Sequence, residues 1–373
     1  MNNSFYMKNV VLTFISLLVL FSCKDRKQEF EKQILGDWNL ARIDDDLQEE
    51  KDLEYVFRND GFIFKDLGNL IEKRGFHDFN YKYSCLEKAT LYKGDSTKYE
   101  IVNDHLKIFN LSYKTWDNYR IVSITSDSLV LEKEKGTNFI YYKSHYKIDV
   151  DENYDRIIVS SSGCHGSCPM LNIDINKNGN VIYYGEYYNT KNGFYTSSIS
   201  NKKYQNLEKS FKKADIKNLR NFYSANWTDG NTTTVTFVRN KKIVKTISDY
   251  GDQSPIDFQW AYMKATYLYQ SLNLTEYKKS KEFFTNLISI KNGDVDLNLA
   301  QSERFYLLNE ILNAKSVTDR KIEKYKVQMF TNLENKTIGY TDGRYFKFAD
   351  KTIDIGYNFL DENKILLRTE DYE

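Results

Sequence analysis

Between residues 33 and 144 the chain is written in short runs that alternate apolar and polar residues. Side chains at i and i+2 share one face of a strand, so each run offers a single apolar face to a core. Runs at 98–101, 105–109, 119–124 and 128–132 follow this period, and Asn103-Asp104 and Ser126-Asp127 mark turns between them. A helical period of 3.6 would scatter the same apolar residues around a cylinder. This stretch therefore predicts an antiparallel meander or small barrel.

The whole chain has 373 residues, enough for two to three domains at about 150 residues each. Its 53 Lys and Arg nearly cancel its 52 Asp and Glu, so it lacks the basic footprint of a nucleic-acid binder. Four Cys and two Pro exclude a disulfide-dense miniature scaffold and a Pro-rich linker protein. The 30 Tyr and 23 Phe suit strands. Together with Lys in excess of Arg and frequent Asn, they also fit the codon bias of an AT-rich genome, and a stacking surface for ligands is the other reading.

At the amino terminus, Lys8 precedes an apolar run of about twelve residues, the length of a secretory leader and too short to span a bilayer. It ends in Leu20-Phe21-Ser22-Cys23, followed by Lys24-Asp25-Arg26-Lys27. A small residue before Cys at the close of such a run resembles the bacterial lipobox. The resemblance implies a signal peptide at 1–22, acylation of Cys23, a tether at 23–32 and attachment to the cell-envelope membrane. Several acyl chains on one cysteine hold a protein far more firmly than one. No later segment is apolar and long enough to cross a membrane, which predicts a water-soluble body behind the anchor. Lys24 stands where lipoproteins retained at the inner membrane often carry Asp, which favours the outer membrane.

Ile34-Leu35-Gly36-Asp37-Trp38 opens the strand-rich region. Gly-x-Trp on the first strand of a β-meander resembles the lipocalin-like domains of bacterial lipoproteins and implies a small barrel over 33–145 with Trp38 as its plug. The Thr-Asp-Tyr turn and the late Arg of true lipocalins are missing.

Over residues 146–275 the pattern changes. A strand at 156–160 leads into Gly163-Cys164-His165-Gly166-Ser167-Cys168-Pro169, then a hairpin turning at Asn178-Gly179. One amphipathic helix presents Tyr204, Leu207, Phe211 and Ala214. After a second hairpin, another helix is expected with Ser254 as N-cap, Pro255 in the first turn and Phe258, Ala261, Tyr262, Ala265 and Leu268 inward. Two helices on one face of an antiparallel sheet predict an α+β sandwich. The Gly-Cys-x-Gly-x-Cys-Pro segment and its hairpin resemble an uncharacterised domain family of bacterial lipoproteins. Residues 276–373 predict a small α+β unit with a helix at 302–313 carrying Phe305, Leu308 and Leu312 inward, followed by three strands; it is either separate or an extension of the middle domain. The fold class expected is thus mainly β with α+β.

Cys164 and Cys168 are the leading chemical candidates. Three intervening residues allow a disulfide if the Cα atoms approach within roughly 4.4–6.8 Å, and an oxidising compartment favours one. A redox-active pair and a metal site with His165 are the other readings, the latter needing ligands from Cys85, His77, His105 or His145. Asp174-x-Asn176-x-Asn178-Gly179 imitates the first half of a calcium loop, but Gly185 occupies the twelfth position, so a hairpin turn is expected. Asp149, Asp151, Asn153 and Asp155 read as a solvated linker, and the acidic run from Asp44 to Asp52 as an exposed loop. No catalytic motif, metal site or cofactor site is recognised. The sequence therefore predicts a lipid-anchored, non-catalytic binding or scaffolding protein. Its expected partners are the membrane and either a small apolar ligand in the first domain or another envelope protein along strand edges. A thiol–disulfide oxidoreductase using Cys164 and Cys168 is the alternative.

Overall fold

The computed structural model describes residues 27–45, 59–82, 88–277, 288–318, 320–330, 335–349 and 351–368. The leader, Cys23 and Cys85 lie outside them. Two compact units emerge: one of residues up to 77 with 93–146, the other of 78–92 with 147–373.

In the first unit, eight strands run β1 (Gly36–Asp45), β2 (Gly61–Lys65), β3 (Asn69–Lys82), β4 (Lys88–Val102), β5 (His105–Asn110), β6 (Thr115–Ile124), β7 (Ser128–Glu134) and β8 (Thr137–Lys143). Each pairs with the next, and β8 returns to β1, closing the barrel. Closure removes both sheet edges. The period-two apolar residues fill the core: Tyr99 with Ile101, Leu106 with Ile108, Leu129 with Leu131, Phe139 with Tyr141. A helical turn at 27–33 adds Phe30, and Ile34 follows it into the same cluster.

The second unit is built on an eight-stranded sheet. Its first strands along the chain are β9 (Arg156–Ser161), β10 (Met170–Asn176), β11 (Asn180–Tyr187) and β12 (Gly193–Ser198). β13 (Phe222–Ser224), β14 (Thr232–Arg239), β15 (Lys242–Tyr250) and β16 (Thr275–Glu276) complete it in the order 13-15-14-9-10-11-12-16. On one face lie α1 (Asn201–Lys213) and α2 (Ile256–Thr266). The expected inward residues of both helices are buried there against Ile157, Val159, Ile173 and Val181. The Ser200 hydroxyl caps α1 by accepting from the Lys203 amide at 3.2 Å.

Two expectations need correction. The cap of α2 is Pro255, not Ser254, whose hydroxyl is drawn instead to Asp249. The sheet is also covered on both faces rather than one. Ile158, Val238, Ile182, Tyr184 and Phe194 point away from α1 and α2 and pack with α3 (Gln301–Asn313). Beyond α3 lies a seven-stranded sheet formed by β17 (Ile288–Asn292), β18 (Val295–Asp296), β19 (Lys315–Val317), β20 (Tyr325–Phe330), β21 (Asn335–Thr341), β22 (Tyr345–Phe348) and β23 (Thr352–Asp354). Sandwiched in this way, α3 buries not only Phe305, Leu308 and Leu312 but also Tyr306, Leu307 and Ile311. A helix buried on more than one side carries apolar residues beyond a single stripe, and its buried polar residues find partners, as Ser302 does in Thr236 at 2.7 Å. The expected boundary at 275/276 therefore does not fall between separate cores, because residues on either side of it share one. No helix among the described residues is long and apolar enough to cross a membrane.

Candidate functional site

The even-numbered residues of β9 to β12 face α3. Where that helix ends, at Asn313, the sheet face opens into a groove of about 750 Å³. Its floor holds Arg156, Asp174 and Asn176; Asn180, Thr196, Asn273 and Tyr277 stand around it. Arg156 uses Nη1 for both its ion pairs, to Asp174 Oδ2 at 3.1 Å and to Glu310 Oε1 at 3.2 Å. Its guanidinium lies 5.4 Å from the centre of the Tyr306 ring. Asn309 Nδ2 donates to the same Asp174 oxygen at 2.9 Å. Burial raises the Asp174 carboxyl above its ordinary value, against the pull of Arg156 and Asn309. Burial likewise raises Glu310, against Arg156 and Lys241. A second cavity of about 220 Å³ shares Arg156 and Asn176 and is lined also by Lys177, Lys241 and Glu310.

Of these groove residues the sequence singled out only Asp174 and Asn176, and those as a calcium-like spacing. The local signal is Asp174 itself, a charge set between Ile173 and Ile175 on a buried strand. The calcium-like spacing it begins is a hairpin: Asn176 Oδ1 accepts from the amides of Asn178 and Asn180 at 3.0 and 3.1 Å. Gly179 has φ +85° there, and a Cβ would lie 2.1 Å from the Ile199 carbonyl oxygen, so glycine is required. Of the alternating acids before β9, Asp149 pairs with Lys217, and Asp155 accepts from Lys177 Nζ at 2.7 Å and the Asn240 amide at 2.6 Å. Asp44 pairs with Arg42 at 3.0 Å, while residues 46–58 lie outside the described residues.

Cys164 and Cys168 form a disulfide with Cα atoms 5.6 Å apart, in the loop joining β9 to β10. Gly166 N–H donates to the Cys164 carbonyl at 2.8 Å, making the tight turn. The loop is tied to its neighbour: the Ser162 amide donates to Thr232 O at 2.9 Å and the His165 amide to Asp229 O at 3.1 Å. His165 and Ser167 are exposed. Among the described residues no group of three His, Cys, Asp or Glu is placed to hold a metal ion. So short a closed loop restricts the unfolded chain little, so the C164S/C168S double variant is expected to lose about 2 kcal/mol or less. Denaturant unfolding of the two proteins in parallel measures this.

A second buried cluster surrounds Asp249 at the end of β15. Its carboxylate accepts from the Gln253 amide at 2.7 Å, the Ser254 amide at 3.1 Å, Ser254 Oγ at 2.5 Å and Tyr262 OH at 3.1 Å. Tyr262 OH also reaches Asp252 Oδ1 at 3.0 Å. Every donor comes from the 250–255 turn or α2, so the carboxylate clamps that turn to the helix.

In the barrel, Trp38 is completely buried. Its Nε1 donates to the Ile34 carbonyl at 2.6 Å, and Lys143 Nζ from β8 sits 4.6 Å from its ring centre. The basic residue over the Trp is a Lys, so the late Arg is indeed missing. On the outer side of the same strand, Asp37 meets the fully buried Lys73 at 2.5 Å, and Lys73 Nζ also donates to Tyr146 OH at 3.1 Å.

These features define a mainly β protein in which a closed barrel accompanies a layered α+β unit with a polar groove. Within that unit, residues 155–269 match the family described as a domain of unknown function, DUF6438. The match covers β9 to α2, including the disulfide loop, Asp174 and Asp249. Among curated proteins none matches the chain.

Proposed function

We propose that this chain is a lipid-anchored cell-envelope protein, on the outer membrane, that binds a ligand without transforming it, and that the groove beside the end of α3 receives the ligand. The anchor rests on the leader ending at Cys23. A lipocalin-like origin for the barrel is supported by its eight strands, by Gly36 and Trp38 on the first of them and by Lys143 over the Trp ring. The observation that carries the binding site is the groove, whose size falls in the about 300–1,000 Å³ range of small-molecule sites. The groove is preferred to the barrel because Phe62, Phe64, Tyr99 and Tyr141 pack against one another there, with ring centres 5.0 to 5.7 Å apart.

Protein extracted in detergent from its own membranes tests the reading by mass. The expected species lacks residues 1–22, carries acyl chains on Cys23 and releases a hydrophilic small molecule unchanged on denaturation. A chain that keeps Met1 and an unmodified Cys23 overturns the anchor; a uniformly empty protein overturns the binding function.

A further inference from the structure

We infer that the groove beside the end of α3 is a binding site for an uncharged oligosaccharide, an assignment that gives a ligand class to the binding function proposed above and rests on it. The floor holds hydrogen-bonding capacity that the protein does not use. Both ion pairs of Arg156 leave through Nη1, so Nη2 and Nε keep their N–H groups. Both side-chain bonds of Asp174 end on Oδ2, so Oδ1 keeps its lone pairs although the residue is only 3% exposed. A donor and an acceptor side by side suit two neighbouring hydroxyls of a sugar, one receiving from Arg156 while the other gives to Asp174. Asn176, whose Oδ1 is occupied by the hairpin amides, retains its NH₂ donors, and the amides of Asn180 and Asn273 stand at the rim.

Charge narrows the choice further. The guanidinium of Arg156 is offset by two carboxylates, Asp174 and Glu310, and among the described residues it is the single cationic side chain in the groove lining. A phosphate or carboxylate ligand would meet the Asp174 carboxylate in the lining and a guanidinium already paired twice. An apolar ligand would strip water from Arg156 and Asp174 and return nothing for it. A neutral polyol faces neither cost. Tyr277 supplies what a sugar ring's C–H face needs: an aromatic ring in the lining, backed by Phe194 at 5.3 Å and an interplanar angle of 22°, with its hydroxyl tethered to Asn313 Oδ1 at 3.3 Å. Because Arg156, Asp174 and Asn176 sit on paired strands, the constellation is formed before the ligand arrives.

The test applies the full chain, purified in detergent, to an array of glucan, chitin and mannan oligosaccharides beside sialylated and phosphorylated ones. The best-bound neutral oligosaccharide is then titrated by calorimetry. Neutral oligosaccharides are expected to bind in preference to charged ones. D174N, which keeps the side chain's shape, is expected to weaken binding at least about tenfold. The rim double variant N180A/N273A, which touches no core contact, is expected to do the same while unfolding like the parent. Preference for the anionic sugars, or full affinity in N180A/N273A, overturns the assignment. A sugar-free molecule released from the native protein and shielding residues 176–198 from hydrogen exchange also overturns it, while the binding function stands. No binding on the array together with an empty native protein overturns both.

Discussion

Replacing Trp38 by alanine is expected to destabilise the barrel by about 3–5 kcal/mol, the cost of emptying a fully buried aromatic site that cannot collapse. Ile34, Phe62 and Tyr141 belong to the core around it, and all of them are held by closed strands or by the helical turn at 27–33. W38F separates packing from polarity. Phenylalanine fills most of the space but leaves the Ile34 carbonyl without its donor, a loss of about 1–3 kcal/mol. The chain has two units, so a single global midpoint would mix their transitions. Hydrogen exchange of barrel amides in 105–110 and 128–134, compared with amides of β9 and β10, reads the effect where it belongs. Equal loss of protection in both units, or none in the barrel, contradicts the plug role.

Asp249 is expected to give the second large effect, and one that depends on pH. D249A leaves two backbone amides and the Ser254 hydroxyl without their acceptor inside the protein, and a loss of about 3–5 kcal/mol follows. D249N keeps the shape and removes the charge. Burial pushes the Asp249 carboxyl up from 3.8 to about 6, with Asp252 adding to the rise and the bonds from Ser254 and Gln253 opposing it. The folded state therefore holds this proton more tightly than the unfolded chain. Below the unfolded value both states are protonated and nothing is lost. As pH rises through the window up to about 6, the unfolded chain ionises first and stability falls, by about 3 kcal/mol once the window is crossed. The stability difference between the parent and D249N should shift by that amount between about pH 3 and pH 7. Parallel pH profiles would contradict the assignment.

What could be read from the sequence was what local periodicity controls. The alternating apolar residues of β5 and β7, the Asn178-Gly179 turn and the inward stripe of α1 follow from spacing alone, because each element buries one face. The misreadings arise where an element buries two. Ile157-Ile158-Val159 is a consecutive apolar run, the mark of a strand covered on both sides, and its second side is met by α3, more than a hundred residues later. Ser254 looked like a helix cap because its type and position before Pro255 are those of one; the tertiary pull of a buried carboxylate outweighed the local preference. The groove was illegible for the same reason on a larger scale. Its residues come from four strands, β9 to β12, the segment after α2 and the last turn of α3, and one chain offers no local pattern that joins them.

The placement of α3 has a consequence for how such a protein can be divided or inherited. The stretch 155–269 supplies the eight-stranded sheet up to its last edge strand and the two helices on one side, yet Ile158, Ile182, Tyr184, Phe194 and Val238 need a cover encoded downstream. In this chain the matched stretch is accordingly not a self-sufficient folding module. Here α3 is the lid over the greasy reverse of the sheet, and what that lid leaves bare decides the chemistry on offer.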